Sequence, residues 1–427
     1  MPSDPVGGNA MGLAGNQVTV PHGRRKPSLG IDARPGRILH VTEAFGGGVA
    51  AAIGDYVSAA PDLEHWLLVS RRPECPAPLP KGVNPAAVIH LPSGHRARRR
   101  AIAEAYGRLR PDRVHAHSSL AGAYCRQLLT IPSDNIVYTP HCYAFERQDT
   151  SSAVRAAFWI AERLMTVRTG VVAACSPREA QLARRMGAAR VVHVPNIVLP
   201  VSDVPLSSPC RNRRPVAVAV GRLCPQKDPA FFARAAAAAP SLDWVWIGEG
   251  DTRLRQLLED AGVRVTGWLD RREIRRRLGE ASVYVHTAAW EGAPLALLEA
   301  VGAGLPVAAR YIPALAALGL RDLARTPAGL AELAGHLAVP GGIRDQHLAF
   351  LADSFLEHTP AVQSARLHQA YALEASSDPG VRHAASQVSS RGGTRGRPFG
   401  RPRYVRSRKS VPYTRSGADK DTERVGE

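Results

Sequence analysis

The sequence predicts an α/β protein with two doubly wound parallel-sheet domains facing a cleft. Three observations carry that expectation. At 427 residues the chain exceeds the size at which one hydrophobic core usually suffices. From residue 37 onward, short β-branched runs alternate with longer amphipathic ones, the pattern of βαβ units. A Pro/Ser-rich break at residues 196–214 then divides the alternation into two series. Each series reads as a Rossmann-like domain. Open sheets of this kind bind ligands outside the carboxyl ends of their strands, which places the site in the cleft.

Residues 1–36 are rich in Gly, Pro and Asn and lack an apolar h-region, so they read as a disordered leader rather than a secretory signal. In the first domain, residues 37–198, strands are predicted over 37–42, 65–70, 87–91, 113–118, 135–139, 171–175 and 191–194. Helical periodicity occupies 49–59, 95–109, 152–169 and 177–186 between several of them. Residues 199–214 form the linker. In the second domain, residues 215–375, strands are predicted over 215–220, 244–247, 263–266, 283–287 and 306–309. Its helices fall over 229–239, 252–260, 271–280 and 295–303, and residues 346–374 read as a helical return segment. Beyond residue 376 the pattern dissolves.

Charge is the compositional outlier, at a formal +18. Part of it is concentrated between Arg391 and Lys409, where eight basic residues and no acidic one stand among Gly, Pro and Ser. Residues 376–427 are therefore expected to be a disordered basic tail, able to attract anionic lipid or nucleic acid but equally well explained as a solubilising segment. The six cysteines (Cys75, Cys125, Cys142, Cys175, Cys210, Cys224) are scattered without zinc-ligand spacing, which fits a reducing cytoplasm. No apolar run approaches the roughly 18 residues of a membrane span. A P-loop, a G-x-S-x-G and an H-E-x-x-H are absent. The Asp-x-Asp at Asp419 and Asp421 falls in the tail, so no metal is expected.

Within this frame the most informative run is Trp290 to Ala300. Glu291 and Glu299 flank Gly292-Ala293-Pro294, where glycine permits a tight turn and proline suits a helix start. Two carboxylates thereby bracket the free N–H groups and positive dipole end of a helix, an arrangement suited to a nucleotide-sugar. Four further constellations lie at predicted strand ends. Gly46-Gly47-Gly48 follows the first strand and lets a phosphate or sugar approach the backbone, although a tight turn also explains it. Gly221-Arg222-Leu223 with Lys227 sets two cations five apart where they can converge on one diphosphate. His141, in Thr139-Pro140-His141, can hydrogen-bond a sugar hydroxyl or a phosphate, or serve structure alone. Gly248-Glu249-Gly250 with Gly267-Trp268 offers backbone or ring to a nucleotide base, and ordinary βα turns account for it nearly as well.

Taken in order, these pieces resemble the family 4 glycosyltransferases, the retaining two-domain GT-B enzymes. The resemblance runs from about residue 37 to about residue 319. It is most specific at EGAPLALLEAVGAGLP, Glu291 to Pro306, which follows the family pattern E-G-x-P-x-x-x-x-E-A-x-x-x-G-x-P. The resemblance implies that Glu291 meets donor-sugar hydroxyls and that Glu299 grips the nucleotide ribose. It also implies that the N–H groups of Leu295 and Ala296 meet the diphosphate together with Arg222, Lys227 and Gly48. Residue 142, often glycine in relatives, is cysteine here and stands to crowd the acceptor side. The sub-group resemblance, through ILHVTEAFGGGVA and YTPHCYAFER, is to exopolysaccharide or capsule-type transferases.

The function expected is therefore transfer of a hexose, with retention and without a metal or other cofactor, from a nucleotide-sugar. Family frequency favours UDP as the nucleotide, and the acceptor would be a lipid-linked or glycan hydroxyl. Arg222, Lys227, Glu291 and His141 are the catalytic candidates; Gly48, Glu299, Leu295, Ala296, Gly267 and Trp268 are the donor-binding ones. Arg96, Arg98, Arg99 and Arg100 suggest peripheral docking at an anionic inner-membrane face. Two alternatives stand beside this reading. One is a GT-B nucleotide-sugar epimerase. The other is a non-catalytic binder of anionic surfaces, for which nucleic acid is disfavoured because few aromatics interleave the basic residues.

Overall fold

The computed structural model describes residues 36–71, 79, 83–199 and 214–372. The leader, most of the linker, the basic tail, Cys75 and Cys210 lie outside the described residues.

The first half alternates as anticipated: β1 (Arg37–Phe45), α1 (Gly47–Ala59), β2 (Glu64–Arg71), β3 (Ala87–His90), α2 (His95–Leu109), β4 (Arg113–His117), α3 (Ser119–Gln127), β5 (Ile136–Thr139), α4 (Ser152–Met165), β6 (Val171–Ala174), α5 (Pro177–Arg185) and β7 (Val191–His193). These strands form one parallel sheet in the order β3-β2-β1-β4-β5-β6-β7. Strand alternation sends Leu39, Val41, Val114 and Ala116 to a face covered by α2, α3 and α5. It sends Ile38 and Val137 to the opposite face, against Tyr56 of α1.

The second half gives β8 (Val216–Val220), α6 (Pro229–Ala238), β9 (Asp243–Ile247), α7 (Thr252–Asp260), β10 (Arg264–Val265), α8 (Arg271–Glu280), β11 (Val283–His286), α9 (Leu295–Gly302), β12 (Val307–Ala309), α10 (Pro313–Ala317), α11 (Pro327–Ala338), α12 (Gly342–Ser354) and α13 (Pro360–Tyr371). Its sheet is parallel in the order β10-β9-β8-β11-β12. Strand order reverses between β1 and β4 in one sheet and between β8 and β11 in the other. Those are the switch points where open sheets leave a crevice.

Helices α3, α10 and α11 were not expected, and two of the expected helical segments differ. The expected helix over 152–169 ends in α4 at Met165, followed by a 3-10 turn over Thr166–Arg168. The return segment is two helices, because Thr359 caps a new start through its side-chain oxygen, which accepts from the Val362 N–H, and Pro360 cannot continue the preceding helix. The second of these, α13, packs on the first sheet: Leu367, Ala370 and Tyr371 join the core of Ile38, Val171 and Val192. The Arg113 guanidinium donates to the Tyr371 carbonyl at 2.7 Å, and the Gln363 amide donates to the Pro195 carbonyl at 2.8 Å.

Candidate active site

The site assembles from strand ends at the two switch points. After β8, the loop over residues 221–228 is held at both ends. The indole of Trp246 donates to the Gly221 carbonyl at 2.8 Å, and Asp228 caps α6 while pairing with Arg310 at 2.6 Å. Lys227 folds over Gly221, its side-chain carbons about 3.1 Å from where a Cβ there would sit, and forms an ion pair with Glu291. Gln226 donates to the Trp290 carbonyl and, at 3.4 Å, to the same Glu291 carboxylate. Lys227 and Glu291, 64 positions apart, thus share one point. Arg222 lies half-buried on the same loop.

Glu291 is only 8% exposed. Three residues further on, Pro294 caps α9 without any side-chain hydrogen bond, and no acidic residue occupies the first turn. Helix α1 opens in the same way, capped by Gly46 with no side-chain cap and no acidic first turn. The two helix starts meet across the cleft: a Cβ built on Gly48 would lie 3.7 Å from Leu295 Cδ1. Two positive dipole ends, each without a capping carboxylate or hydroxyl, are thereby brought to the same place. Gly47 and Gly48 remain solvent-exposed there.

Glu299, in the second turn of α9, pairs with Arg271 at 3.2 Å. Burial pushes its carboxyl above the usual range, opposed by Arg271 and Arg275. Asp55 of α1 feels the same group: burial, the largest cause, raises it to about 6, while Arg271 lowers it and Glu299 raises it further. Arg271 opens α8, directly after the loop carrying Gly267 and the exposed Trp268. Gly267 takes φ +76°, open to glycine, and its carbonyl accepts from the Gly248 N–H at 3.1 Å. A Cβ on Gly248 would lie 2.1 Å from the Gly221 carbonyl oxygen and one on Gly250 2.3 Å from that of Leu223. These two glycines accordingly serve close backbone packing of the site loops.

On the opposite wall, His141 and Cys142 both adopt positive φ, 50° and 83°. The left-handed backbone at Cys142 explains why glycine suits this position, and a non-glycine residue there costs roughly 1–2 kcal/mol. A buried carboxylate offsets that cost, since Glu179 accepts from the Cys142 N–H and, through its other oxygen, from the Cys175 N–H at 3.0 Å. Burial raises Glu179 to about 7 despite these donors. Gly292 presses on this turn: a Cβ there would sit 2.7 Å from Cys142 N and 2.8 Å from Glu179 Oε1. His141 is therefore beside the Glu291 turn, as a two-walled site requires.

Two family-wide sequence profiles match the chain, "Glycosyl transferase 4-like domain" over residues 46–197 and "Glycosyl transferases group 1" over residues 214–335, together well over half of it. The chain belongs to the family 4 glycosyltransferases of GT-B fold.

Over 231 residues the chain is 28% identical to the UDP-Gal:alpha-D-GlcNAc-diphosphoundecaprenol alpha-1,3-galactosyltransferase of Escherichia coli, covering 46% of the chain and 56% of that enzyme. It is 26% identical over 220 residues to an uncharacterized 41.2 kDa protein in the cps region of Klebsiella pneumoniae, covering 48% of the chain and 61% of that protein. The chain thus spans little more than half the length of these curated relatives. Among solved structures, Anabaena HepE in complex with UDP-glucose aligns with a TM-score of 0.61 at 16% identity, over 83% of this chain and 99% of that one. The lipopolysaccharide outer core galactosyltransferase WaaB, in its apo form, aligns with a TM-score of 0.54 at 17% identity, over 78% and 98%. At these identities the likeness shows the GT-B fold.

Several groups of the candidate site escape the motif reading. Asp55, Glu179 and Arg271 stand in ordinary helical contexts. Glu43, at the end of β1, accepts from the Ser118 hydroxyl across the first switch point, at 2.8 and 2.7 Å. Most of all, His65, His40 and His117 are buried in one row behind His141, with buried His115 beside them. The ring nitrogens of His40, His115 and His117 that lie within 4.8 Å of one another are spaced as metal ligands would be. All six ring nitrogens of that trio are already hydrogen-bonded, however, so a metal would have to displace existing partners. The signal was present as histidine at every second position of a strand, His115-Ala116-His117, where Val114 and Ala116 fill the other face.

Proposed function

We propose that this protein transfers a hexose from a UDP-sugar to a hydroxyl of a lipid-linked or glycan acceptor, with retention at the anomeric carbon. The observation that carries the reading is the meeting of two side-chain-uncapped helix starts, at Gly48 and Leu295, beside the Lys227–Glu291 pair. A diphosphate placed there would exchange with Glu291 for the Lys227 ammonium and leave the carboxylate for sugar hydroxyls. As the bond to the sugar lengthens, charge grows on the leaving diphosphate, and Lys227, Arg222 and the α9 start are the groups that meet it. The reading assigns this neutralisation to protein groups rather than to a metal ion. With no carboxylate assigned as nucleophile, departure and attack share one face of the sugar, the phosphate oxygen serving as base. The galactosyltransferase relative, named for a UDP-sugar donor and a diphosphoundecaprenol acceptor, and the UDP-glucose complex of HepE support the donor and acceptor classes.

The deciding experiment is binding and transfer against a panel of UDP-, GDP-, ADP- and TDP-sugars, with wild type and Glu299→Ala. Selective binding of UDP-sugars that the variant loses is the expected result. Failure of well-folded protein to bind any nucleotide-sugar would overturn the proposal.

Docking on an anionic bilayer is supported by one layer of the first domain. Helix α3 packs between α2, with exposed Arg96, Arg99 and Arg100, and α4, which exposes Val154, Trp159, Ile160 and Leu164. Basic groups beside bare apolar side chains suit a headgroup–acyl boundary. Among the described residues no helix is long and apolar enough to cross a membrane. Sedimentation with phosphatidylglycerol vesicles but not with phosphatidylcholine vesicles, weakened by Leu164→Asp, is expected; equal binding to both would refute the docking.

A further inference from the structure

The histidine row has a direction that its far end imposes. Strand order β2-β1-β4-β5 lines up His65, His40, His117 and His141 beneath α1 and α13, with contacts of 2.9 Å from His65 Nδ1 to His40 Nε2, 2.9 Å from His40 Nδ1 to His117 Nε2, and 3.0 Å from His117 Nδ1 to His141 Nε2. At the other end His65 Nε2 lies 2.8 Å from the Ala60 carbonyl oxygen. A carbonyl only accepts, so His65 carries its proton on Nε2. A neutral imidazole has one N–H and one lone pair, and therefore each ring in turn must give through Nε2 and accept through Nδ1. An imidazolium at His65, His40 or His117 would turn a second N–H toward a ring nitrogen that already donates to it. Burial opposes protonation throughout, lowering His65, carrying His40 and His117 well below the usual imidazole range and His141 to about 4.

A second, crossing branch is fixed by the same logic. The Thr139 hydroxyl donates to the Ala173 carbonyl at 2.6 Å, so it accepts from His115 Nε2 at 2.8 Å, and His115 Nδ1 accepts from the Tyr371 hydroxyl at 3.0 Å. The return helix α13 thereby keeps His115, whose ring centroid is 4.0 Å from that of His117, out of the first row's hydrogen bonding.

We propose that His65, His40 and His117 form a tautomer lock that holds His141 with its proton on Nε2 and a permanent lone pair on Nδ1, so that His141 receives a hydrogen bond from a substrate hydroxyl and does not donate to a phosphate oxygen. The lock itself stands on the geometry; the hydroxyl as its target rests on the sugar-transfer reading above. His141 Nδ1 takes no hydrogen bond among the described residues, leaving it for that partner. Because the row ends on the Ala60 carbonyl, which cannot take up a proton, it orients and polarises without conducting protons to solvent. His65, His40 and His117 are positioning residues on this account.

The test is ring-nitrogen NMR on the full chain labelled with 15N-histidine, His141 being assigned by the signals lost in His141→Gln. Between pH 6 and 8 its nitrogens are expected to show the Nε2–H tautomer alone. A Nδ1–H, mixed or imidazolium pattern for His141 in wild type would overturn the lock whether or not any His65 variant folds. His65→Leu removes the acceptor for His40 and should give His141 mixed tautomers with kcat/KM lowered about tenfold, or about 1.4 kcal/mol. His65→Gln, whose amide both donates to Ala60 and accepts from His40, should restore both readouts. Loss of activity in His65→Leu with an unchanged His141 tautomer would mean a structural role only and refute the proposal. Mixed tautomers with unchanged kcat/KM would refute the hydroxyl assignment. The spectrum is read without substrate, so inactive wild type toward every donor would count against the transfer reading and not against the lock.

Discussion

Gly48→Ala separates a functional glycine from a structural one. In the donor-free protein nothing requires glycine here. Gly48 is not among the positive-φ residues, and an added Cβ meets only Leu295 Cδ1 at an ordinary 3.7 Å. Alanine is the better helix former by roughly 0.5–1 kcal/mol, so the variant should be slightly more stable, by about 1–3 °C in Tm. If a diphosphate packs against the first turn of α1, the same methyl stands in its way. A shift of about 1 Å would cost at least one charge-assisted bond of roughly 1.5–3 kcal/mol, or about ten- to a hundredfold in affinity. Scanning calorimetry of the apo protein and titration calorimetry with UDP and UDP-sugars measure the two effects independently. Raised Tm with unchanged affinity would remove Gly48 from the phosphate site. A lowered Tm would contradict the free space seen around it.

Gly292→Ala should behave oppositely. Its Cβ meets Cys142 N at 2.7 Å and the His141 carbonyl carbon at 3.0 Å, backbone atoms that must retreat, so a loss of about 1–3 kcal/mol in stability and up to about a hundredfold in kcat/KM is expected; wild-type melting and turnover would refute the close approach. Arg222→Ala should lower kcat by roughly tens- to a thousandfold with the fold intact, as for the loss of one charge-stabilising donor, and unchanged turnover would sink its role. Glu179 is raised from 4.5 to about 7, so the folded state holds a proton that the unfolded chain releases. Its contribution is full below about pH 4.5 and is lost as pH rises to about 7, a fall of about 3 kcal/mol. In Glu179→Gln the denaturation midpoint should lack this slope between pH 5 and 7, and parallel curves for variant and wild type would refute the assignment.

The strands were legible because a parallel strand covered on both faces must be a short, nearly continuous apolar run. Seven predicted runs before residue 199 and five after residue 214 are the strands observed, the edge strands β3 and β10 being only partly covered. Helices were read less completely. α3, α10 and α11 went unassigned, although Ser118 and Thr326 cap α3 and α11 through their side chains. All three are rich in alanine, glycine or leucine, so the contrast between their faces is weak. The break between α12 and α13 is likewise a capping event, at Thr359-Pro360, inside periodicity that runs on either side of it.

The candidate site divides along the same physical line. Glu291, Glu299, Arg222 and Lys227 are readable because their chemistry depends on a turn and a helix start encoded within a few residues. What those groups touch in the folded chain is set by strand order instead. Lys227 meets Glu291 because β8 and β11 are neighbours, and Arg271 meets Glu299 because α8 and α9 flank β11. Both glutamates are thus neutralised by cations of the same cleft, so under the proposed transfer a donor would enter by exchanging partners, with its diphosphate taking the cations and its hydroxyls the carboxylates. Neither a bare phosphate nor a free sugar satisfies both halves of that exchange. A phosphate strands buried Glu291 without a counter-charge, and a sugar leaves the pairs closed. On the proposed function, preference for an intact nucleotide-sugar would therefore arise from tertiary pairing of residues that the sequence presents only singly.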